Sequence, residues 1–250
     1  MASSVPQTAT SFPGGHDFAT TRWTLVLAAG DAENPQSGKA LATLCQTYWM
    51  PLYAFVRRRG YSAADAEDLV QEFFARLLER NFLGQADRDR GRFRTFLLSA
   101  LSHFVANEWN RQRTLKRGGA QPSVSWDAQS AEDRYLQEGA DTETPATAFD
   151  RHWAEALLER ALDQLRRQYA AIGKADLFQT LEPCLSGDGL AASYRETAAQ
   201  LGMSEGTLRV AAHRLRRGFG EMLRLEVAHT VTGPAEIDDE LRYLFGLFHH

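Results

Sequence analysis

Apolar residues recur along this 250-residue chain every three to four positions, and no stretch sustains the two-residue alternation of a strand. That periodicity points to an all-α fold. At 44% apolar and 10% aromatic residues, a chain of this length has the material for a globular core. Residues 21–30 are expected to form a first helix with Trp23, Val26 and Leu27 inward. A second should cover about 37–59, its stripe being Leu41, Leu44, Cys45, Tyr48, Leu52 and Val56. Pro51 lies inside it and is expected to kink or split it, because proline removes a ladder donor and crowds the preceding turn. Gly60 should end it.

The next helix contains DAEDLVQEFF, residues 65–74, with Asp65, Glu67, Asp68 and Glu72 inside eight positions. Ser62 and Asp65 have capping-box spacing, which starts the helix at Ala63. Leu69, Val70, Phe73, Phe74 and Leu77 make its apolar face. Asp68, Gln71, Glu72 and Glu79 are left outside, with Arg76 one turn from Glu72. Acids at this density could bind a metal, do acid–base chemistry, dock a partner, or simply be solvated. A metal or hydrolytic site wants ligands converging in a cleft, and no His or Cys lies nearby in sequence. A fourth helix should span about 93–115, with Phe96, Leu97, Ala100, Leu101, Phe104, Val105 and Trp109 along one side.

The formal net charge of −4 conceals segregation. Residues 88–117 hold eight Lys or Arg against Asp89 and Glu108, and residues 207–224 hold five Arg against Glu221. Residues 127–150 carry seven acids and Arg134, and the tail from Glu226 carries five acids and Arg242. Two basic patches, one followed by an acidic stretch and the other by an acidic tail, suggest two surfaces for polyanions; solvated helix faces are the plainer alternative. Residues 120–148, rich in Ser, Asp, Glu, Ala and Thr, look like an acidic tether. Helical periodicity resumes over 149–171, and Pro234 should open a last amphipathic helix with Ile237, Leu241, Leu244 and Phe248 inward. Cys45 and Cys184 form no CxxC, so neither zinc nor a disulfide framework is expected. No apolar run is long enough to cross a bilayer, and residues 1–18 resemble no signal peptide, so a cytoplasmic protein with a disordered leader is expected.

Residues 193–217, SYRETAAQLGMSEGTLRVAAHRLRR, carry the most specific pattern. Ser193 and Glu196 make one capping box, Ala198 is small where two helices must touch, and Gly202 suits the tight turn. Ser204 caps a second helix that packs through Leu208, Ala211, Ala212 and Leu215. This is helix-turn-helix grammar, whose second helix enters the major groove. Glu205, Arg209, His213 and Arg216 would point outward, and arginine can read guanine bidentately. An ordinary helical hairpin is the alternative.

Taken together, residues 21–225 resemble an RNA polymerase sigma factor of the extracytoplasmic-function (ECF) type in the sigma-70 family. DAEDLVQE is similar to that family's D-x-E-D-L-x-Q-E signature in sigma region 2. GRFRTFLLSALSHFVANEWNRQR is similar to its promoter-opening helix, and residues 193–217 to sigma region 4. The resemblance implies two helical domains, region 2-like over 19–117 and region 4-like over 149–228. It also implies a flexible linker over 118–148, with a C-terminal extension over 229–250 beyond the minimal family plan. It implies that Asp65, Asp68, Leu69, Gln71 and Glu72 contact the clamp coiled coil of core RNA polymerase, leaving Glu67 merely solvated. The loop 84–92 would capture a base of the minus-ten element, with Arg94, His103, Asn107, Arg111 and Arg113 contacting DNA along the following helix. Ser204, Glu205, Thr207, Arg209, His213, Arg216 and Arg217 would contact the minus-35 element. Ser99, Ser102 and Asn110 depart from residues that are often basic in the family, so its promoter sequence does not transfer.

The implied function is promoter recognition, DNA melting and transcription initiation by a subunit that is not an enzyme and needs no cofactor or metal. Implied partners are core polymerase, through clamp and flap, promoter DNA, and an anti-sigma factor as a candidate; no membrane or small-molecule substrate is expected. A free-standing helix-turn-helix regulator and a metal-dependent hydrolase using Asp65, Asp68 and Glu72 are the rival readings. The tail could cover a DNA- or polymerase-binding face, or complete the core of the second domain.

Overall fold

The computed structural model describes residues 35, 37–79, 92–114, 132, 133, 135, 144–185, 193–231 and 233–248. The expected helix at 21–30, the leader, nearly all of the loop 84–92 and most of the linker lie outside these residues. Regular structure among the described residues is entirely helical. The elements are α1 (Ser37–Arg58), α2 (Ala63–Glu79), α3 (Phe93–Thr114), α4 (Pro145–Ala171), α5 (Ala175–Leu181), α6 (Tyr194–Gln200), α7 (Glu205–Ala228) and α8 (Ile237–Gly246). Short 3-10 turns, Glu182–Cys184 and Pro234–Glu236, follow α5 and precede α8.

Several boundaries follow from local chemistry. The Asp65 amide donates to Ser62 Oγ at 3.2 Å, which caps α2 where the spacing predicts. Gly60 adopts φ 90° and closes α1, a conformation costly for any residue with a Cβ. Pro51, expected to break α1, does not: one helix runs through it. It sits amid the buried run 51–56, so tertiary packing of Leu52, Tyr53, Ala54, Phe55 and Val56 outweighs the lost ladder bond. Helix α4 starts at Pro145, four residues inside the expected linker. Thr144 caps it by accepting from the Thr147 amide at 3.2 Å, and Pro145 takes the first turn, where its missing N–H costs nothing.

Two cores form, and they are not separate. The first gathers Leu52, Val56, Val70, Phe73, Phe93, Leu97 and Leu101 with Phe149, Trp153 and Leu157 of α4, Leu223 and Val227 of α7, and Leu244 of α8. The second gathers Leu165, Phe178, Leu181, Cys184, Ala198, Leu208, Ala212 and Leu215. Helices α4 and α7 each contribute to both, and Phe219 and Met222 touch both. At about 1.5 Å per residue these helices are about 40 and 36 Å long, long enough to run through two small cores. They approach closely at Gly218, where a Cβ would lie 3.1 Å from Leu165 Cδ1.

Buried polar bonds tie the same elements. Glu226 on α7 is buried and accepts from Arg160 Nη2 at 2.9 Å and Gln164 Nε2 at 2.7 Å, both on α4. Arg160 also donates to the Thr47 hydroxyl on α1. The two halves expected to hang from a flexible tether therefore share an interior.

The described part of that tether is pinned too. Glu132 accepts from Arg57 Nε at 3.0 Å and Nη2 at 2.7 Å, and from the Tyr53 hydroxyl. The Tyr135 ring lies under the guanidinium groups of Arg57 and Arg58, 4.8 and 5.4 Å from its centroid.

Candidate polymerase and nucleic-acid interfaces

Helix α2 turns its apolar face into the first core and its acids outward. Asp65 and Asp68 are exposed, and Gln71 and Glu72 are half-buried. Glu72 pairs with Arg76 at 2.6 Å, and Arg76 also reaches Glu108 on α3 at 2.6 Å, which fixes that edge of the helix. Glu67, expected to be solvated, is half-buried and accepts from Gln71 Nε2 at 3.1 Å. Burial, and then the neighbouring Asp68 charge, push its carboxyl above the ordinary range. Leu69 is 4% exposed within the first core. Its reading as a docking residue is corrected: the apolar stripe turns it inward, so it supports the helix from beneath. Among the described residues no three His, Cys, Asp or Glu side chains gather as a metal site requires.

The basic start of α3 is arranged otherwise. Arg94, expected to meet phosphate, is 7% exposed. Its Nε donates to Glu240 at 3.0 Å and its Nη1 to Asp150 at 2.5 Å. Its guanidinium lies between the rings of Trp153 and Tyr243, 4.7 and 4.8 Å from their centroids. Burial works against this charge, but Asp150 and Glu240 outweigh it and hold the group above its ordinary pKa. In this arrangement Arg94 cannot reach a DNA backbone. The sequence contains both partners, but pairs 56 and 146 residues apart leave no local signature. Farther along α3, His103 and Asn107 are exposed on the helix surface. Arg111 and Arg113 belong to its final turn, with side chains outside those described.

The two capped helices and the tight turn expected over residues 193–217 form as the sequence predicts. The Glu196 amide donates to Ser193 Oγ at 3.2 Å while the Ser193 amide donates to Glu196 Oε2 at 3.1 Å, a complete capping box. Gly202 makes the turn at φ 65°. Ser204 accepts from the Thr207 amide at 3.1 Å and starts α7. Leu208, Ala212 and Leu215 face inward, and Thr207, Arg209, His213, Arg214, Arg216 and Arg217 are exposed. Arg209 is held by Glu205 at 2.8 Å and covers the Tyr194 ring at 4.6 Å. Arg216 Nε donates to the Cys184 carbonyl at 3.1 Å, so it braces the turn after α5 as well as facing out. Arg214, absent from the expected contacts, joins this basic face.

A model of the family Sigma-70 region 2 matches residues 44–114, the span of α1, α2 and α3. The chain is also 28% identical over 204 residues to the ECF RNA polymerase sigma factor SigX of Bacillus subtilis (strain 168), covering 80% of this chain and 88% of that protein. Together these two likenesses support an ECF sigma-70 family factor. No solved structure matches the chain. Among the described residues no helix of this chain is long and apolar enough to cross a membrane.

Proposed function

We propose that this sigma factor docks on core RNA polymerase through the outer face of α2 and carries the polymerase to promoters, where α3 opens the minus-ten element and α7 contacts the minus-35 element. It acts as a binding subunit and not as an enzyme. The observation that supports this best is the division of α2 within the matched region 2. Its apolar stripe is used up in the core, so Asp65, Asp68, Gln71 and Glu72 are left on the outer face to orient a basic partner helix. Acids at a protein interface set orientation and association rate, while packing around them sets affinity.

Gel filtration of the full chain with bacterial core RNA polymerase tests the proposal, wild type beside Asp68→Arg. Wild type is expected to co-elute, and the variant to run separately with an unchanged urea midpoint, because Asp68 is exposed. Co-elution of both would remove α2 as the docking face. If neither co-elutes, the sigma reading of the whole chain fails.

A further inference from the structure

Helix α8 lies beyond the part needed for the proposed function, and the contacts it makes are selective. Of its ten residues, Leu244 and Glu240 are buried. Glu240 is 0% exposed and takes two arginines from the start of α3: Arg94 through Nε at 3.0 Å and Nη2 at 3.4 Å, and Arg92 through Nη1 at 2.8 Å. The Tyr243 hydroxyl donates to Asp150 at 2.6 Å, beside the same guanidinium. An oxyanion gripped by a guanidinium fork and a second arginine has the coordination of a nucleic-acid phosphate.

The hold on the helix is partial. A ten-residue helix is not stable alone in water. Tyr243, Phe245 and Phe248 remain 41%, 46% and 42% exposed, so its apolar hold rests on buried Leu244 with the half-buried Ile237, Leu241 and Leu247. A buried ion cluster adds little net stability, yet stripping away one partner without replacement is costly. Exchange of Glu240 for a phosphate keeps Arg92 and Arg94 satisfied throughout. Glu132 closes over Arg57 by the same chemistry, so a basic position covered by an acid of the same chain recurs among the described residues.

We propose that α8 is an internal occupant of the nucleic-acid surface of region 2, with the Glu240 carboxylate standing where a DNA phosphate binds Arg92 and Arg94. The free chain is closed at this surface, and single-stranded DNA engages it only when α8 leaves. This rests on reading α3 as a DNA-contacting helix. With the open form at about 0.1–10% of molecules, freeing α8 raises apparent affinity about tenfold or more.

The test is fluorescence anisotropy of the free full-length chain with a mixed-sequence 30-nucleotide single-stranded DNA, at fixed salt. Glu240→Gln is expected to bind at least about tenfold tighter than wild type, with the gain abolished in an Arg94→Ala background. A folded Glu240→Gln chain that binds no tighter overturns the proposal. Should that variant fail to fold, hydrogen–deuterium exchange of the wild-type chain decides: residues 237–246 lose protection when saturating DNA is added, and unchanged protection overturns the proposal. Co-elution with core polymerase is scored separately. A chain that co-elutes but shows no Glu240 effect is a sigma factor without this cover. A chain that fails to co-elute but shows the effect keeps the cover and loses the sigma reading.

Discussion

The two arginine-rich surfaces of this protein are alike in composition and opposite in circumstance. On α7, Arg209, Arg214 and Arg217 are exposed, paired at most with acids one helical turn away. At the start of α3, Arg94 is inside the protein, shared between a carboxylate from α4 and another from α8. Local pairs in high dielectric are worth a few tenths of a kcal/mol and yield to any competing anion. The buried cluster has already lost its water, so each member depends on the others. One surface is exposed as it stands, and the other is covered by the chain itself.

The strongest way to break this contrast is Arg94→Ala. It strands Glu240 and Asp150 in the interior and removes the guanidinium from between Trp153 and Tyr243, so stability should fall by about 3–5 kcal/mol. Arg214→Ala should change it by no more than about 0.5 kcal/mol. Urea denaturation of the pair measures both, and equal midpoints would mean that the two surfaces do not differ.

Ser204→Ala sharpens the other side of the comparison. If α7 is held at its reading end by local capping, losing the Ser204 bond to the Thr207 amide should cost about 1 kcal/mol, visible as a lowered thermal midpoint. Arg214→Ala, nearly silent in stability, should appear in binding instead. The slope of log affinity against log salt for duplex DNA should become shallower by about 1, the signature of a single phosphate that is no longer neutralised. The smallest effect expected is that of Gly218→Ala. Gain in helix propensity of about 0.5–1 kcal/mol opposes a Cβ placed 3.1 Å from Leu165 Cδ1. The net shift should stay below about 1 kcal/mol, and differential scanning calorimetry would give its sign.

The sequence makes some of this legible and hides the rest for physical reasons. Where structure is written by neighbours, the reading succeeds: Ser62 with Asp65, Ser193 with Glu196, Gly202 at the turn and Ser204 at the cap all act within four residues. The face of α2 follows from spacing as well, although Leu69, expected both in the apolar stripe and at the docking face, belongs inside. Pro51 misleads because its local cost is overruled by the burial of the residues around it against helices far along the chain. The start of α4 at Thr144–Pro145 has a local signal, a capping threonine followed by a proline suited to the first turn, which the acidic composition around it obscures. The cover over Arg94 has none. Charge segregation sets the acidic tail against an arginine-rich helix, but pairing Glu240 with Arg94 needs the tertiary fold. Of the residues expected to contact DNA on α3, His103 and Asn107 lie on the surface and Arg94 does not.

Helix α7 has one further consequence. Its N-terminal turns present the exposed Arg209 and Arg214, while Glu226 and Val227 are buried near its far end and Arg224 reaches Asp238 of α8 at 2.7 Å. The proposed reading end and the proposed cover thus touch one helix, which packs closely on Leu165 at Gly218. From Gly218 back to the start of the helix is about 20 Å, so a tilt of about 10° there swings the reading end by about 3 Å. If the proposed groove contact tilts α7, the movement therefore reaches the end of the helix that touches α8.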